Sequence, residues 1–192
     1  MEAGEEAALR TYRGVLLDFA ALIPANTRRL LLEYLPEPQG GAYFPFISET
    51  SLDDVAANIS EEDQADLVRS ISDLQAGTGQ SVVISSQAGG FGGLSAQARL
   101  ARACELAPID VIVTTVQSVY WDTFTDDTGI DVLTPNEFVS ALLVTADGTH
   151  RIVRAVCSLA DDLDIDPYEL LDYLVDEGLD DLKREIDRNH LL

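Results

Sequence analysis

Short apolar runs alternate along this 192-residue chain with longer stretches of helical spacing. The first run, Val15-Leu16-Leu17, ends on Asp18 and reads as a buried strand over 14–18. Behind it, Leu30, Leu31, Tyr34 and Leu35 form the stripe of a helix from about Thr27 to Leu35, with Asn26 as its cap and Pro36, Pro38, Gly40 and Gly41 as its stop. An aromatic extended piece, AYFPF, follows, and then two helices are predicted. One begins near Ser48 or Ser51 and turns Leu52, Val55, Ala56 and Ile59 inward; the next runs from about Glu61 to Leu74. SVVIS is strand-like. GGFGG after it lacks the Gly-Lys-Ser/Thr ending of a phosphate-binding loop and is expected to be a flexible connection to a helix from Ser95 to Leu106. DVIVTT is the strongest strand pattern, β-branched and followed by polar residues in which Tyr120 and Trp121 are expected to lie in a loop. GIDVLT supplies a last short strand and runs into TPNEFVSALL, where Thr134 caps, Pro135 takes the first helical position and Glu137 completes a capping box.

Strands alternating with helices predict a parallel α/β core covered by helices on both faces. In such folds ligands sit beyond the carboxyl ends of the strands, which is the address of Asp18. From residue 145 onward the pattern is helical only. Ile152, Val153, Val156 and Leu159 make one stripe and Leu170, Leu171 and Leu174 another, the second opened by Asp166-Pro167 with Glu169 as the expected box partner and broken at Gly178. The expected organisation is a flexible N-terminus over 1–13, an α/β domain over 14–144 and a helical extension over 145–192. Stripes of this kind need cover, so the extension packs either on the core or on a partner, with Leu170, Leu171 and Leu174 as interface candidates.

Composition changes the picture in one respect. Asp and Glu number 34 against 12 Lys and Arg, a net charge of −22, and Lys183 is the single lysine. Such a field repels a phosphate backbone, and it fits either a proteome adapted to a salt-rich cytoplasm or a surface that binds a basic partner. No apolar run approaches the roughly 20 residues that span a bilayer, and the acidic MEAGEEAALR start is unlike a secretory leader, so a cytoplasmic location and no membrane contact are expected. Cys104 and Cys157 lie in apolar segments without metal-type spacing and are expected to be reduced, buried thiols. His150 and His190 are too isolated for an acid/base or zinc site.

Asp at the end of the first strand, LIPANTRRLLLEYL behind it, SETSLDDVAANI further on, ACELAPIDVIVTT and the closing GIDVLTPNEFVSAL together resemble the PIN domain family, and within it the proteins related to toxin ribonucleases of toxin–antitoxin systems. The downstream PYELLDYLVDEGLDDLKREI resembles the tail of one such subgroup. The resemblance implies a three-layer α/β/α fold with a parallel central sheet. It also implies a metal-dependent nuclease, in which three or four acidic residues hold Mg²⁺ or Mn²⁺ over the scissile phosphate, because a hard cation takes oxygen ligands and must lower the pKa of a water.

Against that pattern Asp18 matches the first acid and Asp54 the second, and these two are the candidate metal ligands. Gln97 stands at the third acidic position, where an amide brings an oxygen but no charge. Val116 stands at the fourth, Ala20 replaces the polar residue after Asp18, and Arg29 replaces the acid of the next helix. Of the remaining acids, Asp110 precedes its strand, Glu105 is two helical turns from Gln97, and Asp122 alone is placed to rebuild a catalytic cluster.

Three functions follow as expectations. The first is a degenerate, non-catalytic PIN-like protein that binds or regulates a protein partner or a second copy of itself, with Arg29, Tyr120 and Trp121 as further interface candidates and no cofactor. The second is a Mg²⁺- or Mn²⁺-dependent ribonuclease built on Asp18, Asp54 and Asp122, with RNA as substrate. The third is an acidic inhibitor that mimics nucleic acid toward a basic protein. Asp18 itself has a plainer alternative as a cap of the segment that follows it.

Overall fold

The computed structural model describes residues 12–34, 42–47, 84–85 and 94–192, together with Ser60, Ala65 and Arg69. Of the two helices expected between Ser48 and Leu74 only Ala65 and Arg69, both helical, are described, and the GGFGG connection lies outside the described residues.

Strand β1 (Gly14–Asp18) is central, flanked by β2 (Ala42–Ile47) and β4 (Val111–Val113), with β3 (Ile84–Ser85) beyond β2 and β5 (Asp131–Leu133) beyond β4. All four pairings are parallel, in the order β3-β2-β1-β4-β5. Val15, Leu16 and Leu17 stand opposite Val111, Ile112 and Val113, so the two most apolar runs of the chain are neighbours. Every residue of β1 is buried, as an inner strand of a parallel sheet requires.

Alternate residues of β1 and β4 serve different clusters, as the two-residue period of a strand dictates. Leu16 and Ile112 pack with Leu100, Ala103, Trp121 and Phe124. These come from α2 (Ala96–Ala103) and α3 (Tyr120–Thr128). Val15, Leu17, Val111 and Val113 enter a larger cluster with Leu30 and Leu31, with Phe138 and Val139 of α4 (Pro135–Leu143), and with residues of α5 (Ala146–Leu163), α6 (Pro167–Asp176) and α7 (Asp180–Asn189). Leu170, Leu171 and Leu174 are completely buried there. The stripes beyond residue 145 are thus covered by the chain itself, and no part of those three leucines is left for a partner.

Thr134 caps α4 with the reciprocal Glu137 box and Pro135 in the first turn, as the local pattern predicts. Asp166 caps α6 by accepting from Tyr168 N, but Glu169 turns to the Tyr173 hydroxyl and forms no box. The segment holding Tyr120 and Trp121 is a helix and not a loop. Its signals are weak because Thr123, Thr125 and Thr128 lower helix propensity; the residues that hold it are Trp121 and Phe124, three apart on one face, and Gly129 at φ 71° as the left-handed stop.

The first helix also differs from its prediction. It is α1 (Ala25–Arg29), which begins after Pro24 and continues as a wider π-helical turn over Leu30–Tyr34. Pro24 supplies no side-chain cap, and Asn26 lies within the helix. The cap comes from 150 residues away. The Glu177 carboxylate accepts from Asn26 N at 3.1 Å and Asn26 Nδ2 at 2.9 Å with one oxygen, and from Thr27 N at 2.7 Å and Thr27 Oγ1 at 2.9 Å with the other.

At the amino end of the sheet, Asp110 fastens β1 to β4: its carboxylate accepts from Arg13 N and from Gly14 N, and its own N–H donates to Gly14 O at 2.8 Å. This is the end opposite Asp18, as the position of Asp110 ahead of its strand implies. Among the described residues no helix is long and apolar enough to cross a membrane.

Candidate functional site

The strand order reverses direction at β1: β2 and β3 lie to one side of it, β4 and β5 to the other. A crevice at the carboxyl ends of the two strands flanking such a reversal is where open α/β sheets bind ligands. Asp18 and Thr114 are the residues at that address. The parallel register brings them together, because VLLD and VIVT align residue for residue, and Asp18 and Thr114, one residue past Leu17 and Val113, share a face with each other.

Thr114 Oγ1 donates to Asp18 Oδ2 at 2.6 Å, and both residues are almost fully buried, Asp18 being 4% exposed. Thr114 N donates to Leu133 O and continues the sheet toward β5. The same threonine hydroxyl accepts from Val116 N at 3.0 Å, a side-chain turn that folds the loop back over the strand end. Val116 O in turn accepts from Trp121 Nε1 at 2.9 Å. Trp121 stands edge-on to Phe124, with centroids 5.7 Å apart, inside the smaller cluster. A hydrogen-bonded chain therefore runs from the Asp18 carboxylate through Thr114 and Val116 to the indole.

On the other side of Asp18 the chain makes a short 3₁₀ turn over Phe19–Leu22 before α1. Asp18 forms no side-chain cap to that turn. The turn is braced from within by Arg28. Its side chain is completely buried, and its guanidinium donates to Leu22 O at 3.1 Å and Ile23 O at 3.2 Å. Two backbone carbonyls gain a donor in this way. Arg29 reaches Asp162 of α5 at 3.8 Å.

The other sequence-predicted residues belong to other elements. Gln97 is a half-buried residue in the first turn of α2, behind the cap Ser95. Asp122 is exposed in the first turn of α3. Glu105 follows α2 and pairs with Arg102. Tyr120 is 46% exposed beside the buried Trp121, so the pair presents one ring to solvent and spends the other on the core. Asp54 lies outside the described residues. Among the described residues no three His, Cys, Asp or Glu side chains are grouped so as to hold a metal ion.

Family models, curated proteins and solved structures were compared with this chain, and none matches. The site is therefore described on its own geometry. Its elements are a buried carboxylate, a hydroxyl that donates to it, and a loop stitched down by that hydroxyl and an indole N–H.

Neither thiol adds a nucleophile. Burial pushes Cys104 up from its ordinary 9.0 to about 12, and burial followed by the nearby Asp161 charge raises Cys157, so both stay protonated at neutral pH. A thiol whose pKa is raised by folding favours the folded state below its unfolded value, and that contribution is lost as pH rises through the folded one. The wild-type chain is expected to lose stability between about pH 9 and pH 12 more steeply than Cys104→Ala, measured by denaturant midpoints across that range. Parallel curves for the two proteins would remove Cys104 from the alkaline transition.

Proposed function

We propose that this chain is a PIN-like, three-layer α/β/α protein of the cytoplasm that does not cleave nucleic acid and acts by binding a protein, either a partner with a basic surface or a second copy of itself. The observation that carries this reading is the state of Asp18. The first family acid is buried, and its oxygen takes a hydrogen bond from Thr114 at 2.6 Å. A hard divalent cation takes six or more oxygen ligands and draws its charge balance from carboxylates. The third and fourth family positions are filled instead by the neutral Gln97 and by Val116, the latter with its N–H and C=O both engaged in holding the loop. The net charge of −22 adds a long-range repulsion toward a polyanion and an attraction toward a cationic surface.

The second reading, a Mg²⁺- or Mn²⁺-dependent ribonuclease using Asp18, Asp54 and Asp122, is favoured by a different fact: Asp18 ends β1 where the strand order reverses, the ligand-binding address of the fold class. Calorimetric titration with Mn²⁺ and incubation with single-stranded and structured RNA separate the two. The expected result is no saturable Mn²⁺ heat and no cleavage, alike for the wild type and for Asp18→Ala. Metal binding or RNA cleavage that is present in the wild type and abolished by Asp18→Ala would establish the nuclease and overturn the binding-protein reading.

A further inference from the structure

We infer that Glu177 is a latch through which the C-terminal helices set the conformation of the Asp18 crevice. Its backbone position is fixed by its surroundings. Glu177 N donates to Tyr173 O as α6 ends, Gly178 follows at φ 96°, and Leu179 N closes the turn onto Leu174 O at 2.9 Å. The helices on either side bury Leu170, Leu171 and Leu174 before the turn and Leu182 and Ile186 after it. A side chain held so firmly transmits the position of the tail.

What the latch grips is the start of α1, with four donors on one carboxylate: two backbone N–H groups, the Asn26 amide and the Thr27 hydroxyl. Hydrogen bonds to an ionised acceptor are the stronger kind, and the carboxylate meets the positive end of the helix backbone. The helix so held carries Arg28, whose guanidinium reaches back to the carbonyls of Leu22 and Ile23 in the turn that leaves Asp18. From Asp18 the path continues through Thr114 and Val116 to Trp121. Tail, α1, turn, crevice and indole are thus joined by consecutive contacts, and a change in one end has a physical route to the other. Linkage makes the effect reciprocal: whatever alters the Asp18–Thr114 contact also changes the hold of Glu177 on α1. The inference does not depend on what the crevice binds.

The test is hydrogen exchange read by mass spectrometry on the full-length chain, with Trp121, the single tryptophan, as a second reporter. Glu177→Gln keeps the size of the side chain and removes its charge, and it carries the test should Glu177→Ala fail to fold by circular dichroism. Glu177→Gln is expected to speed exchange across residues 19–29 roughly tenfold, to shift Trp121 emission, and to leave α4 and β5 unchanged. Thr114→Val is expected to speed exchange at Asn26 to Arg29 in return. Faster exchange confined to Asn26, Thr27 and Arg28, with unchanged Trp121 emission, would reduce Glu177 to a local helix cap and overturn the latch. A uniform increase over all helices would be general destabilisation and would overturn it equally.

Discussion

Deleting residues 145–192 abolishes the cooperative fold: the truncated chain is expected to aggregate on expression, to bind a hydrophobic dye, and to show no sharp thermal transition. Half of the described members of the larger cluster, from Ile152 to Ile186, belong to the deleted helices. Their removal strips cover from the cluster they share with Val15, Leu17, Val111 and Val113, and directly from the turn that carries Leu30 and Leu31. Burying an aliphatic side chain of this size is worth about 1.5–3 kcal/mol. Losing cover over several of them costs on the order of ten kcal/mol, which matches the net stability of about 5–15 kcal/mol that a domain possesses. The deletion also removes Glu177 and leaves the donors of Asn26 and Thr27 without their acceptor. A truncated protein that remained soluble and unfolded in a single transition near the wild-type temperature would show that the α/β portion folds without this cover.

The second large effect is expected at the amino end of β1. A methyl group on Gly14 would lie 1.7 Å from Pro108 O and 2.7 Å from the Pro108 carbonyl carbon, both main-chain atoms. Neither side can yield cheaply, since Gly14 O accepts from Asp110 N and Gly14 N donates to the Asp110 carboxylate. Gly14→Ala is therefore expected to cost about 3 kcal/mol, the upper part of the range for overpacking, and to lower the melting temperature by roughly 6–12 °C for a chain of this size. Gly129→Ala is the control: its added carbon meets nothing within 4 Å, and the only penalty is the left-handed conformation at φ 71°, about 1 kcal/mol. Equal losses for the two variants would mean that the close approach at Pro108 is relieved by movement of the chain.

The parallel core was legible because Val15 to Leu17 and Val111 to Val113 are apolar and β-branched or aliphatic without interruption, and each ends at a polar residue. Thr114 carried a usable signal, since aligning VLLD with VIVT in parallel register already places it against Asp18. Helix α3 was harder to see, because threonines and aspartates dilute the one apolar pair that packs. Two contacts had no local signature at all. Glu177 caps a helix 150 residues earlier, and a cap donated from a distant segment leaves no motif beside the helix it serves. Arg28 is a charged residue wholly inside, a placement that hydrophobic periodicity assigns to the surface.

The larger cluster begins at Val15 and ends at Ile186. The earliest of the described strands to be made is therefore among the last to be covered. At about 5–20 residues per second, the strand waits on the order of ten seconds or longer before α7 has been synthesised. During that interval its apolar side chains and its backbone N–H and C=O groups are open to other contacts, and closure requires contacts between distant parts of the sequence, which makes the final step slow. Completion of this core thus waits for α7, and holding β1 soluble until then falls to the acidic chain around it or to a chaperone.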